Sequence, residues 1–229
     1  MKAVTLPDPG AVASLAAERI AQVAREAVAQ RGRCALAFSG GDTPWRALRA
    51  LAGEDVPWGS VHLFQVDERV AISSDPERNY LHLKEALIDR VAIPGANVHP
   101  MPVEEGDLDE GARRYEATLR RFAGTPPVLD LVQLGLGEDG HTASLFPGDA
   151  ALRVIDADVA ASGLYKGRRR MTLTFRAIDR ARHILWLVTG AGKVAALARL
   201  LAGDRSIPAG RVRNDRTVLL ADRAAAGGG

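Results

Sequence analysis

"RCALAFSGGDTPWRALRALA", Arg33 to Ala52, is the stretch whose reading decides the fold. "RCALAF" is a short apolar run of the kind found in a buried strand. Ser39, Gly40 and Gly41 break the run. Thr43 then offers a capping hydroxyl, and Pro44 suits the first position of a helix continuing through "WRALRALA". Strand, glycine turn and helix together are the local signature of a βα unit.

The pattern extends in both directions. Upstream, Val12, Leu15, Ala16, Ile20, Val23 and Ala27 recur at helical spacing, which predicts an amphipathic helix over 10–30. Downstream, "VHLFQVDER" (61–69) reads as a strand and "DPERNYLHLKEALIDRV" (75–91) as a helix opened by Asp75-Pro76. "NVHPM" (97–101) is a short strand and "DLDEGARRYEATLRRFA" (107–123) a helix. "LDLVQLGLG" (129–137) reads as a strand buried on both faces. Two β-rich pieces follow, "ALRVIDADVA" (151–160) and "RMTLTF" (170–175). "HILWLVTG" (183–190) is a strand, "KVAALARLLAG" (193–203) a helix and "TVLLAD" (217–222) a strand. The alternation predicts a doubly wound, mostly parallel α/β sheet with helices on both faces. It is a single Rossmann-like domain over residues 1–223, with "AAAGGG" (224–229) as an unstructured tail. Ligands of such sheets bind beyond the carboxyl ends of the strands. That singles out loops 39–43, 67–69 with 79, and 135–148, and the turn at 190–193.

Composition narrows the partners. A formal charge of +2 over 229 residues gives no reason to expect nucleic acid or a membrane surface. Arg168-Arg169-Arg170 is locally basic and reads as a solvated turn. One cysteine, Cys34, excludes an intrachain disulfide, and its apolar run makes it a buried inert thiol. "MKAVTLPDPG" has no apolar run behind its lysine, and the next helix carries Glu18, Arg19, Arg25 and Glu26. Neither a signal peptide nor a membrane span is expected, and the address that remains is cytoplasmic.

The loops carry the chemistry. In "SGGDTP" two glycines between strand and helix let backbone N–H groups meet an anion, with Ser39 and Thr43 as hydroxyl donors; the plain alternative is an ordinary βα turn. The anion reading requires Asp42 to point outward. "TGAGKV" aims Lys193 from a strand-to-helix turn, but Leu187 and Val194 exclude a Walker A loop. In "DER", Arg69 is suited to bidentate phosphate contact and Asn79 to sugar hydroxyls. Gly135, Gly137 and Gly140 spell G-x-G-x-x-G after a strand, and Asp156 stands near the ribose-binding distance. Glu138 and Asp139, however, put two carboxylates where a pyrophosphate would sit, and Pro147-Gly148 stops any long helix, so the dinucleotide reading is rejected. His141 follows Asp-Gly in this loop, with Asp139 close enough to orient it, which is the arrangement of a general base. His62, His82, His99 and His183 sit within strand or helix patterns as structural residues. No pair of histidines has metal-ligand spacing, so no metal is expected.

"SGGDTP", "DER" with the later Asn79-Tyr80, "GLGEDGHTASLFPG", "RMTLT" and "VTGAGK" occur in the order found in 6-phosphogluconolactonases, and the chain resembles that family over nearly its whole length. The related glucosamine-6-phosphate deaminase/isomerases share "DGH" but typically continue Ile-Ala-Phe-Asn-Glu-Pro, where this chain has Thr142 to Phe146. The resemblance implies hydrolysis of 6-phospho-D-glucono-1,5-lactone to 6-phosphogluconate, the second step of the oxidative pentose phosphate pathway. It implies His141 as base with Asp139 beside it, and Gly40, Gly41, Thr43, Arg69 and Lys193 around the phosphate. Asp67 and Asn79 fall to the sugar. The implied partner is a small phosphorylated sugar lactone held by a monomer, without cofactor or metal. The rivals are an amino-sugar phosphate deaminase/isomerase, in which Asp67 would abstract the proton, and a non-catalytic sugar-phosphate-binding protein.

Overall fold

The structure, a computed structural model, describes residues 1–104, 106–213 and 215–228. Among the described residues, ten strands and six α-helices follow in chain order: β1 (Lys2–Leu6), α1 (Pro9–Arg31), β2 (Cys34–Phe38), α2 (Asp42–Leu51), β3 (Val61–Gln65), β4 (Asp67–Arg69), α3 (Asn79–Ala86), β5 (Val98–His99), α4 (Leu108–Ala123), β6 (Leu131–Leu134), β7 (Val159–Ala161), β8 (Arg170–Leu173), α5 (Phe175–Asp179), β9 (His183–Val188), α6 (Val194–Leu201) and β10 (Thr217–Asp222). Seven strands form one parallel sheet in the order β1-β10-β9-β6-β2-β3-β5. The other three, β4-β8-β7, form a small antiparallel sheet.

Side-chain alternation explains why the main sheet is covered twice. Cys34, Leu36 and Phe38 of β2, with Leu185 and Leu187 of β9, face α1, α2 and α3. Ala35 and Ala37 of β2, with Ile184, Trp186 and Val188 of β9, face α4, α6 and the small sheet. Successive residues of a strand point to opposite faces, so continuous apolar runs are needed where both faces are dry. The long helix α1 lies close to the sheet on an alanine-rich stripe, Ala13, Ala16, Ala17, Ala21, Ala24 and Ala27. Asp8 caps its first turn by accepting from Ala11 N at 2.9 Å, and Gly32 closes it in the left-handed region. Cys34 is fully buried, and burial pushes its thiol well above the ordinary range, as an inert core residue requires.

Several elements differ from the sequence-based expectation. β1 was not foreseen: it is an edge strand with mostly exposed side chains, so it shows no apolar run. The stretch 61–69 is two strands. Val66 donates to Phe38 O, accepts from Leu173 N, and carries the chain out of the main sheet into the small one. Thr43 does not cap α2. Gly41 takes that position, and Pro44 lies in the first turn rather than at its first residue. Helix α3 begins at Asn79, not at Asp75-Pro76, because residues 75–78 close their own turn, Arg78 N to Asp75 O. Of the expected strand 151–160 only Val159 and Ala160 lie in a strand, β7, which runs on to Ala161. Residues 224–228, expected as a loose tail, are placed: Ala225 is buried and donates to Asp222 Oδ1 at 2.8 Å. Gly229 lies outside the described residues.

The carboxyl side of α4 and β5 holds a ring cluster, His62, His99 and Phe122, in which His62 Nδ1 and His99 Nε2 are 3.1 Å apart. Burial, with repulsion from His62 and Arg121, pulls the His99 imidazole down to about 4. An unfolded histidine titrates near ~6.5, so between these values the unfolded chain binds the extra proton and stability falls as pH drops through the window. The loss expected from this group is on the order of 2–3 kcal/mol. Urea unfolding of wild type and His99→Phe at pH 7 and pH 4 checks it, and the variant should lose less on acidification.

Candidate active site

Strands β6 and β2 are neighbours, and their chains leave in opposite directions, β6 toward β9 and β2 toward β3. That is a topological switch point, where loops diverge and leave a crevice. A cleft of 360 Å³ occupies it, lined by residues of all four loops singled out above. Gly40, Gly41, Thr43, Asp67, Arg69, Asn79, His141 and Lys193 all line it. Asp139 is not in the lining and stands behind His141.

The loop after β6 builds the imidazole's seat. Asp139 Oδ1 lies 2.5 Å from His141 Nδ1 and also accepts His141 N at 3.1 Å. The partner is therefore Asp139 and not Glu138. Burial works to raise the Asp139 carboxyl, but the hydrogen bonds from the His141 backbone and ring and from Tyr165 outweigh it, and the group stays below its ordinary value. An ionised carboxylate at Nδ1 fixes the proton on that nitrogen and leaves Nε2 free to accept another. Gly137 is what lets the ring lie there, because a Cβ at that position would come within 2.1 Å of His141 Nδ1. The glycine pattern thus serves the histidine, and no α-helix follows the loop.

The loop after β2 meets the turn after β9. Gly41 precedes α2 without a side-chain cap, so no side chain satisfies the first N–H groups of a helix whose opening residues Asp42 and Thr43 line the cleft. Thr43 Oγ1 and Thr189 Oγ1, 2.6 Å apart, tie this loop to the turn carrying Lys193. That turn is held from behind by Asp222, whose carboxylate accepts Gly190 N at 3.0 Å. Gly40 is required by close approach: a Cβ there would meet Asn79 Oδ1 at 2.0 Å. Asn79 in turn donates to Asp67 O at 3.0 Å. Asp42, required to point away from an anion, is exposed in the first turn of α2 and still lines the cleft.

The "DER" triplet divides its work. Asp67 is buried and accepts from Ser144 Oγ at 2.6 Å; burial pushes its carboxyl up against that hydrogen bond and the charges of Arg170 and Arg69. Glu68 points inward and organises α3, accepting from Asn79 N and Tyr80 N, both at 2.8 Å. Arg69 lines the cleft and donates to Glu77 O.

Arg170 was missed. The triplet Arg168-Arg169-Arg170 read as one solvated turn, but its members separate. Arg168 pairs with Asp75 at 2.8 Å and Glu77 at 3.0 Å, while Arg170 turns into the cleft. Strand alternation from Met171 and Leu173, which are buried in the core, was the available signal. Arg170 stands directly opposite Arg69 in the β4-β8 ladder. Two like charges in register destabilise a sheet unless an anion offsets them. Asp67 supplies one, and burial still pulls the Arg170 guanidinium down. Among the described residues no group of three or more His, Cys, Asp or Glu is arranged to hold a metal ion, and no helix is long and apolar enough to cross a membrane.

A cleft with a carboxylate-held imidazole and cations from β4, β8 and the turn after β9 coincides with a match to a known family over residues 7–220, described as glucosamine-6-phosphate isomerases/6-phosphogluconolactonase. The chain belongs to this family. Among its members, the 6-phosphogluconolactonase of Synechocystis sp. is 43% identical over 183 residues, spanning 78% of this chain and 76% of its own. The one from Mycobacterium leprae is 37% identical over 233 residues, 96% and 94% of the two chains. The crystal structure of 6-phosphogluconolactonase from Thermotoga maritima aligns with TM-score 0.85 at 27% identity, covering 96% and 98%. A monomeric glucosamine-6-phosphate deaminase aligns with TM-score 0.87 at 21% identity, which extends the family's shared fold across both activities.

Proposed function

We propose that this chain hydrolyses 6-phospho-D-glucono-1,5-lactone to 6-phospho-D-gluconate, acting as a cytoplasmic monomer without cofactor or metal. The observation that carries the reading is the meeting of the Asp139-held His141 with Arg69, Arg170 and Lys193 in one cleft. The relatives named 6-phosphogluconolactonase support it. His141 Nε2 takes a proton from water as the water oxygen bonds to C1. Charge collects on the former carbonyl oxygen, which a guanidinium or backbone N–H of the glycine turns stabilises. The intermediate then expels the ring oxygen, which receives the proton back from the imidazolium, and the acid product ionises. Gly40, Gly41, Thr43, Arg69 and Lys193 hold the phosphate, with Asp67 and Asn79 on the sugar side. The phosphate does not react. Its binding energy sets C1 against His141, which is how a remote group lowers a barrier.

The test is hydrolysis of freshly generated lactone, corrected for spontaneous opening, with Lys193→Ala beside wild type. Lys193→Ala should raise KM roughly 10–100-fold with little change in kcat, the size of a lost charge-assisted hydrogen bond. No hydrolysis by wild type above background would overturn the reading. Ammonia released from glucosamine 6-phosphate would turn it toward the deaminase, with Asp67 as the base.

A further inference from the structure

We propose that Tyr165 is a positioning residue for the His141–Asp139 pair, holding the carboxylate from the side opposite the imidazole. The inference rests on the reading of His141 as the base. Asp139 uses its two oxygens differently: Oδ1 faces His141 Nδ1, and Oδ2 accepts the Tyr165 hydroxyl at 3.2 Å. Tyr165 is not among the residues lining the cleft, so it acts through Asp139 and not on the substrate.

The sequence between β7 and β8 builds the support for this contact. Tyr165 and Arg168 exchange both backbone hydrogen bonds, Tyr165 N to Arg168 O at 2.9 Å and Arg168 N to Tyr165 O at 3.2 Å. Between them Lys166 and Gly167 both have positive φ, 49° and 79°. Two consecutive left-handed residues are the mark of the tight hairpin turn whose twist matches its strands. Arg168, on the same turn, fastens it to Asp75 and Glu77 of the loop after β4. The Tyr165 ring then lies flat on Phe146, centroids 3.7 Å apart at 6°, and the Arg170 guanidinium sits over both rings at 5.4 and 5.6 Å. Both rings also touch the His141 imidazole, at 5.0 Å for Phe146 and 5.5 Å for Tyr165. A ring clamped on this many sides keeps its hydroxyl in one place.

The charged groups around Tyr165 are Asp139, Arg170 and Glu138, with Lys166 Nζ 5.6 Å from its ring centroid. A hydroxyl donated to Oδ2 draws on the charge that would otherwise stabilise the imidazolium. Removing it leaves Oδ2 without that donor and loosens the orientation of the carboxylate and of the imidazole it holds.

Tyr165→Phe keeps the ring on Phe146 and removes only the hydroxyl. Measured beside wild type and His141→Asn, it should lower kcat by roughly two- to tenfold with KM unchanged, the range of a single hydrogen bond. An unchanged thermal midpoint shows that the fold is intact. If Tyr165→Phe keeps the wild-type kcat while His141→Asn is inactive, the role of Tyr165 is overturned and the base assignment stands. A change confined to KM overturns it equally, because Tyr165 would then act on binding. If His141→Asn keeps full turnover, the base assignment fails and the role of Tyr165 falls with it.

Discussion

His141→Asn should cut kcat by about 10²–10⁴-fold and leave KM and the binding of 6-phosphogluconate close to wild type. Asparagine fills similar space, and its amide can still reach Asp139, so the loop after β6 keeps its path. What disappears is the nitrogen able to accept the water's proton. Gly40, Gly41, Arg69 and Lys193 come from other loops and are untouched. The phosphate therefore still docks, and the loss falls on the chemical step. Steady-state kinetics on fresh lactone, with product binding by calorimetry, separates the two effects. A wild-type kcat in this variant contradicts the assignment.

Glu68→Ala should destabilise the fold by about 3–5 kcal/mol, the cost of leaving a buried charge without its partner. The Glu68 carboxylate is fully buried. It accepts Gln65 Nε2 at 2.9 Å, Arg69 N at 2.7 Å and the first two N–H groups of α3, and it faces Arg78 Nε at 3.2 Å. Arg78 is itself buried, and its other carboxylate partner, Glu104, is half exposed. Removing Glu68 takes the buried carboxylate from Arg78 Nε, leaving the guanidinium only Ala71 O and Glu104, and strands two helix-start donors. Because α3 opens with Asn79, which presses on Gly40, activity should fall along with stability. Urea unfolding monitored by far-UV circular dichroism measures the effect. A loss below about 1 kcal/mol would mean that the half-exposed Glu104 alone offsets the Arg78 charge.

Glu68 also shows where reading the sequence stops. The alternation of strands and helices was legible because β2, β6 and β9 are buried on both faces, which forces unbroken apolar runs between glycine turns. The loops at their carboxyl ends were legible for the same reason. β4, β7 and β8 were legible only as β-rich stretches (within 61–69, 151–160 and 170–175), not as a separate sheet with its own bounds, since strands of three or four residues carry too few side chains to show a period. β1 lies at the sheet edge, where exposed residues such as Lys2 erase the apolar signal. In "DER", Arg69 could be given to a phosphate, but nothing in the triplet set Glu68 apart, and only the tertiary fold sends it inward. The same applies to Arg168 and Arg170, neighbours in a basic triplet that face a loop and the cleft respectively. His141 was recognisable because an imidazole directly after Asp-Gly has no helix or strand face to occupy. Tyr165 was not, because its partner lies 26 residues away across the hairpin.

The account rests on one ligand spanning the cleft with its phosphate and C1 at opposite ends, and a crystal structure with 6-phosphogluconate tests that most directly. The predicted result is the phosphate among Gly40, Gly41, Arg69 and Lys193, with the C1 carboxylate within hydrogen-bond reach of His141 Nε2. A phosphate seated against His141, or product bound away from this cleft, contradicts it.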